Sequence, residues 1–152
     1  MSAKRDAVPI ILLIEDNQHD EELAIRALSK SAVPHTVVVV RDGAQAIEYL
    51  IDGITRGSNT VPAVVLLDLK LPKMSGHEVL RRVRENPETR LVPVVILTTS
   101  NEEGDVVKSY ALGANSYIRK PVSFTEFCEI ASELVDYWLT KNRPPSLELA
   151  KA

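Results

Sequence analysis

Short apolar runs alternate along the chain with segments that have the period of a helix. The runs are continuous in apolar character, as is typical of strands buried on both faces of a sheet. The predicted strands are 8–14, 35–40, 61–67, 92–97 and 115–119. The predicted helices are 18–31, 44–51, 76–85, 102–112 and a fifth that follows Pro121. Right-handed crossovers between such units predict an α/β, doubly wound, five-stranded parallel sheet with strand order 2-1-3-4-5.

Apolar residues at helical spacing predict which side of each helix faces the sheet. The inward residues are expected to be Leu23, Ala27 and Leu28; Ala46, Ile47 and Leu50; Val79, Leu80 and Val83; and Val107, Tyr110 and Ala111.

The chain is expected to form one domain over residues 1–142. The turn-rich stretch 52–62 is longer than a compact link needs and predicts a surface insertion. Residues 143–152 begin with two consecutive prolines after Arg143 and predict an extended tail.

Composition narrows the class of protein. The formal charge of −3 is spread over 152 residues without a basic run interleaved with aromatic residues, so nucleic-acid binding is not expected. Cys128 is the one cysteine, which rules out an internal disulfide and suits the reducing cytoplasm. No apolar stretch approaches the roughly 20 residues that span a bilayer, so no membrane association is expected.

Chemically active side chains stand at the carboxyl ends of four predicted strands. Glu15 and Asp16 follow the first predicted strand, Asp68 follows the third, Thr98 follows the fourth and Lys120 follows the fifth. In an open parallel sheet these ends meet at one edge, where ligands bind. Clustered carboxylates without histidine or cysteine favour Mg²⁺, and one of them can act as a nucleophile toward phosphorus.

Each of these residues also has a simpler interpretation. A lone acid at a strand end is usually a solvated turn residue or helix cap, a lone threonine a strand residue and a lone lysine a solvated charge. The three histidines show no spacing typical of metal ligands, and no role is assigned to His19, His35 or His77. The functional interpretation depends on the whole set occurring together.

The set resembles the receiver domain of bacterial two-component response regulators, which has a flavodoxin-like fold. The similarity covers about residues 10–139 and is carried by the segments "IEDN", "LLDLKLPKMSG", "ILTTS" and "ANSYIRKP". The resemblance implies that Asp68 is the phosphoacceptor. It also implies that Asp16, Asp68 and the backbone carbonyl of Lys70 bind Mg²⁺ directly, and that Glu15, in place of the commoner aspartate, acts through water.

The same resemblance implies a switch. Thr98 and Lys120 would contact the phosphoryl group, and Tyr117 would be the switch aromatic that repacks one face of the domain. The long 52–62 loop, "HTVVVVRDGAQAIEYL", "LTTS" and "VDYWLTKNRPP" further resemble the small receiver-only regulators that are paired with bacterial phytochrome histidine kinases.

The expected function is therefore that of a single-domain response regulator. A partner histidine kinase, of phytochrome type by resemblance, would phosphorylate Asp68, and a downstream phosphotransfer or target protein would read the altered surface. The chain would not be an enzyme beyond its own phosphotransfer and dephosphorylation. The alternatives are a small Mg²⁺-dependent phosphohydrolase, which lacks its usual second acid because Lys70 holds that place, and a pseudo-receiver that is not phosphorylated.

The last helix has more apolar surface than its own sheet requires. One stripe (Phe127, Ile130, Ala131, Leu134 and Trp138) faces the sheet, and a second consists of Phe124, Cys128, Val135 and Leu139. The second stripe, with Trp138, predicts a homodimer face built from the fourth helix, the fifth strand, the fifth helix and the tail, tightened by phosphorylation. The alternative is that the tail folds back over this stripe within one chain.

Overall fold

The computed structural model of the protein describes residues 8–145. Its strands are β1 (Ile10–Ile14), β2 (Thr36–Val40), β3 (Val64–Leu67), β4 (Val94–Thr98) and β5 (Ser116–Arg119). They form one parallel sheet in the order β2-β1-β3-β4-β5. The predicted fold class and strand order are confirmed.

Helices connect the strands. They are α1 (Gln18–Ser29), α2 (Gly43–Ile47), α3 (Gly76–Glu85), α4 (Glu103–Ala111) and α5 (Phe124–Asp136). A π-helical segment continues α2 over Glu48–Gly53, and another continues α5 over Tyr137–Lys141. Within residues 8–145, no helix is both long and apolar enough to cross a membrane.

Three strands begin later than their apolar runs. β1, β3 and β4 begin at Ile10, Val64 and Val94, two or three residues beyond the predicted starts. Proline has no N–H to donate to the ladder and is therefore confined to strand edges and starts. The prolines within two residues of these observed starts are Pro9, Pro62 and Pro93.

The sheet is covered on both faces. One face packs against α2 and α3 and the other against α1 and α5. The inward residues predicted for α2 and α3 are all buried. In α1, Ala27 and Leu28 are buried and Leu23 is half-buried against the same cluster.

The predicted surface insertion is partly helical. Asp52 and Gly53 still belong to the π-helical segment, so the irregular part is shorter than expected. The loop that follows is fixed by Asn59, whose side-chain amide donates to the carbonyl of Tyr49 at 3.1 Å.

The described part of the tail lies against its own chain. Pro144 and Pro145 line a cavity of about 220 Å³ together with residues 61–63 and 91–93. The remainder of the predicted tail, 146–152, and residues 1–7 of the predicted domain lie outside the described residues.

The orientation predicted for α4 is wrong. Val107 and Tyr110 are 58% and 50% exposed, and Ala111 is exposed as well. The buried position is Ser109, whose hydroxyl oxygen lies 2.9 Å from Nε2 of His77 on α3. A polar contact between the two helices takes the place of apolar packing, so the apolar stripe of α4 faces solvent.

The second apolar stripe of α5 is covered by α1. Val135 is fully buried, and Phe124, Cys128 and Leu139 are half-buried against the same cluster as α1. The Arg26 guanidinium of α1 lies 4.8 Å from the centre of the Phe124 ring. Val135 therefore cannot form part of a free dimer face, because neighbouring helices on one face of a sheet also cover each other.

A close backbone approach connects α3 to the end of β3. A Cβ atom on Gly76 would collide with the carbonyl oxygen of Asp68, whereas one on Gly104 would meet nothing within 4 Å. We expect Gly76→Ala to lower the free energy of unfolding by about 1–3 kcal/mol because the backbone must shift to relieve the overlap. Gly104→Ala is the matched control and should leave it unchanged or raise it slightly. Urea unfolding measures both, and equal losses in the two variants would contradict the expectation.

Candidate functional site

Three carboxylates lie together at the carboxyl ends of β1 and β3. Glu15 and Asp16 follow β1 directly, and Asp68 follows β3. One oxygen from each lies within 4.8 Å of the other two. Glu15 and Asp68 are buried, whereas Asp16 is exposed to solvent. The structure thus brings together acids that the sequence places at different strand ends.

The ammonium group of Lys120 is enclosed by three carboxylates. Its Nζ donates to Glu15 Oε1 at 2.6 Å, to Asp68 Oδ2 at 2.9 Å and to Asp20 Oδ2 at 2.9 Å. Its backbone N–H donates to the carbonyl of Thr98 at 2.7 Å, which holds the residue beside the end of β4. An ammonium has three N–H donors, so each of its protons has a carboxylate acceptor in this arrangement.

Asp68 receives donors on both of its oxygens. Lys120 contacts Oδ2, while the fully buried Thr98 donates its hydroxyl to Oδ1 at 2.8 Å. The backbone N–H of Lys70 donates to the same Oδ1 at 3.2 Å. These contacts fix the orientation of the Asp68 carboxylate.

Burial and charge shift the pKa values of Glu15 and Lys120. Burial and the neighbouring Asp68 raise the pKa of Glu15 to about 7, against the opposing effect of Lys120. Burial alone would lower the pKa of Lys120, but its hydrogen bonds to Asp20, Glu15 and Asp68 raise the pKa above its ordinary value. The lysine is therefore held in its charged form, and Glu15 is an acid that a further cation would help to ionise.

The segment that follows Asp68 is positioned by the start of α2. Asp42, which caps α2, lies 3.4 Å from Nζ of Lys73. Lys73 has a φ of 68°, a conformation that is uncommon for a residue other than glycine. Gly43 has no side chain where Met74 packs against it, so the loop approaches α2 closely.

Tyr117 is linked to the site through the loop after β4. Its ring is half-buried, and its hydroxyl donates to the carbonyl of Ser100 at 3.0 Å. Ser100 lies two residues beyond Thr98, whose hydroxyl is on Asp68. Of the two residues predicted to form a switch, Thr98 thus begins a three-residue segment and Tyr117 contacts its last residue.

The acidic cluster suits a small hard cation. Its donors are carboxylate oxygens alone, the ligand type that Mg²⁺ prefers over softer nitrogen or sulfur. One oxygen from each carboxylate lies within 4.8 Å of the others, slightly farther than the roughly 3–4 Å between ligand oxygens of an octahedral Mg²⁺ ion. Asp16 is exposed, so its side chain is free to adjust.

Asp20 belongs to the site although the sequence pattern does not predict it. It lies in the first turn of α1, where acidic residues are common because they favour the helix N-terminus. Its position on a helix start above the end of β1 was the available signal, since that places it at the same edge as Glu15. Its contact with Lys120 joins residues 100 positions apart in the chain.

Comparison with known families identifies the class of protein. Residues 11–132 match the family model described as the response regulator receiver domain. The match covers most of the chain, which therefore belongs to the response regulator receiver domain family.

Individual relatives match over almost their whole length. The probable methanogenesis regulatory protein FilR2 of Methanothrix harundinacea is 41% identical over 138 residues, covering 90% of this chain and 87% of the relative. Response regulator Rcp1 of Synechocystis sp. is 35% identical over 139 residues, covering 91% and 95%.

Solved structures extend the comparison. The phosphorylated cyanobacterial phytochrome response regulator RcpA is 40% identical, with a TM-score of 0.85 over 92% of this chain and all of the other. The Mn²⁺-bound form of Rcp1 has a TM-score of 0.82 over 91% of this chain and 99% of the other. The chain is thus homologous to phytochrome response regulators along nearly its full length.

The pKa of Glu15 generates a prediction about stability without bound metal. The pKa is about 7 in the folded protein, against an ordinary value of 4.5. A raised folded-state pKa contributes stability that is complete below the unfolded value and is lost as pH rises through the folded value. We therefore expect the free energy of unfolding in EDTA to fall between about pH 4.5 and about pH 7 by a contribution that Glu15→Gln removes. Glu22→Gln, an exposed change on α1, is the control, and a pH profile of Glu15→Gln parallel to that of the wild type would contradict the assignment.

Proposed function

We propose that the protein is a response regulator that accepts a phosphoryl group on Asp68. The placement of Lys120 on one Asp68 oxygen and of Thr98 on the other supports this most directly. A carboxylate held in this way is presented as a nucleophile, and a cationic and a hydroxyl donor lie beside it, where they can turn to the oxygens of an incoming phosphoryl group.

In the proposed reaction, an Asp68 oxygen forms a bond to phosphorus while the bond from phosphorus to a phosphohistidine nitrogen of the kinase breaks. The electron pair of the broken bond stays on the departing imidazole, and Asp68 becomes an acyl phosphate. Lys120 and Thr98 donate to the phosphoryl oxygens as the group arrives. The chain acts as acceptor in this transfer and as catalyst of its own phosphotransfer and dephosphorylation, with no separate substrate.

The proposed Mg²⁺ site has three direct ligands, which are Asp16, Asp68 and the backbone carbonyl of Lys70. Glu15 is proposed to act through water. A bound divalent cation offsets the negative charge of the acids and of the phosphoryl oxygens. The all-carboxylate donor set supports this assignment, as does the description of Rcp1 in a Mn²⁺-bound form.

The proposed donor is a histidine kinase of phytochrome type. The similarity to RcpA, which is described as a phytochrome response regulator, supports this pairing. FilR2 has comparable identity and is described as a methanogenesis regulator, so phosphotransfer from candidate kinases must identify the donor. We place the exchange in the cytoplasm, where the free Cys128 would stay reduced. A downstream phosphotransfer or target protein would receive the signal.

Phosphorylation is proposed to act on the face formed by α4, β5 and α5. The phosphoryl group adds about −1.5 to −2 charge and three acceptor oxygens, which attract the hydroxyl of Thr98. Movement of Thr98 would shift the carbonyl of Ser100, and with it the ring of Tyr117 that this carbonyl holds.

The same face is proposed to form a homodimer. Val107, Tyr110 and Tyr137 are large apolar or aromatic side chains that are about half exposed, at 58%, 50% and 49%. Between β5 and α5 lies a cavity of about 360 Å³ that Ile118 and Trp138 help to line. Val135 has no part in this surface, because it is buried in its own chain.

Phosphoryl incorporation tests the proposed acceptor. With Mg²⁺ and acetyl phosphate, the wild-type protein should gain the mass of one phosphoryl group, and Asp68→Asn should gain none because its amide is not a nucleophile. Asp52→Asn, an exposed acid outside the site, should behave as the wild type. Intact-mass spectrometry with and without EDTA provides the measurement. Continued labelling of Asp68→Asn would refute the assignment.

Sedimentation velocity tests the proposed dimer. We expect the wild-type protein to dimerise at high micromolar concentration, and more tightly with a beryllofluoride mimic of the phosphoryl group. Val107→Glu should weaken the dimer at least tenfold, because it would bury an unpaired charge in the interface. Val8→Glu changes a valine that is 44% exposed outside this face and is the matched control. A protein that remains monomeric with and without the mimic would rule out the dimer.

A further inference from the structure

Asp20 is a carboxylate of the site with no place in the proposed metal or phosphoacceptor set. Its Oδ2 lies 2.9 Å from Nζ of Lys120. Its side chain is 28% exposed, whereas those of Glu15 and Asp68, the other two partners of Lys120, are 3% and 9% exposed. Asp20 therefore contacts the ammonium from the solvent side.

Local structure holds Asp20 in this position. Its backbone N–H donates at 2.9 Å to Oδ1 of Asn17, the residue that caps α1. Its side chain lines a cavity of about 200 Å³ at the junction of α1 with the loop after β5, together with Thr99, Arg119 and Lys120. Asp20 and Lys120 therefore border the same cavity.

This arrangement sets a condition for phosphoryl binding. All three Lys120 protons already have carboxylate acceptors, so a phosphoryl oxygen can receive one of them only if an acceptor is displaced. Acceptors around a tetrahedral ammonium lie about 5 Å apart, a distance at which a carboxylate and a phosphoryl dianion repel each other strongly in a partly buried site. Asp20 is the most exposed of the three acceptors, so its carboxylate is the one that can most readily turn away from Lys120 into solvent.

We propose that Asp20 is a positioning residue that holds Lys120 in competition with the phosphoryl group, and that it thereby limits both the phosphorylation of Asp68 and the lifetime of the product. The proposal rests on the proposed function of Asp68. It assigns to one acid on α1 a control of phosphorylation that acts through Lys120 and not through metal ligation.

Phosphorylation kinetics of the full chain with Mg²⁺ and acetyl phosphate test the proposal. Asp20→Asn should lower the half-saturating acetyl phosphate concentration and lengthen the phosphoryl half-life, each by roughly three- to tenfold, because a competing charge is removed while the shape is kept. Asp20→Glu, which retains the charge, should return both values toward those of the wild type. Glu22→Gln removes a charge from the same helix outside the site and should change neither.

Several results would overturn the proposal. These are unchanged or slower phosphorylation in Asp20→Asn, or an equal acceleration in Glu22→Gln. Thermal unfolding of each variant shows whether the fold is kept, and Asp20→Ser replaces Asp20→Asn if the latter is unfolded.

A second readout separates this proposal from the proposed function. The ¹⁵N-labelled Lys120 ammonium in the metal-free protein should exchange its protons slowly in the wild type and faster in Asp20→Asn. If the wild-type protein takes up no phosphoryl group, the proposed function fails. An ammonium signal that is identical in the two proteins would instead show that Asp20 does not hold Lys120.

Discussion

The structure depends on one ammonium group buried among carboxylates that arrive from different elements. Lys120 follows β5, Glu15 follows β1, Asp68 follows β3 and Asp20 begins α1. Without the lysine these acids would repel one another, and a buried carboxylate left unpaired costs about 3–5 kcal/mol. The cluster therefore ties the carboxyl ends of non-adjacent strands to each other, and it does so at the edge of the sheet where the chemistry is proposed to take place.

A buried ion cluster is weak evidence for stability, because desolvation offsets much of the attraction between the charges. Here three carboxylates share one ammonium, so the cluster has more acids than cations, and burial raises the pKa of Glu15 despite its contact with Lys120. A site in this condition is stabilised when another cation binds. Asp68 also has donors in place on both of its oxygens. The features that make the metal-free site electrostatically costly are the same ones that would favour metal and phosphoryl binding.

The fold could be predicted from the sequence because strands buried on both faces and helices buried on one have distinct apolar patterns. The errors arose where a second neighbour or a polar contact decides orientation. Apolar period places Val135 on a free surface because it cannot reveal that α1 covers α5. Asp20 was missed because an acid in a first helical turn is common, and only the folded chain places it beside Lys120.

The apolar stripe of α4 faces solvent, opposite to the predicted orientation, and this bears on the proposed switch. The helix lacks a side-chain cap, and polar contacts hold it in place: Ser100 with Asp105 at 2.5 Å, and Ser109 with His77 at 2.9 Å. Such hydrogen bonds are exchanged for others at little net cost, whereas moving an apolar core contact opens a cavity. A helix anchored in this way belongs to the more readily displaced part of a fold. Because Ser100 also holds Tyr117 and follows Thr98, the element that apolar periodicity describes least well is the one that the proposed switch could move.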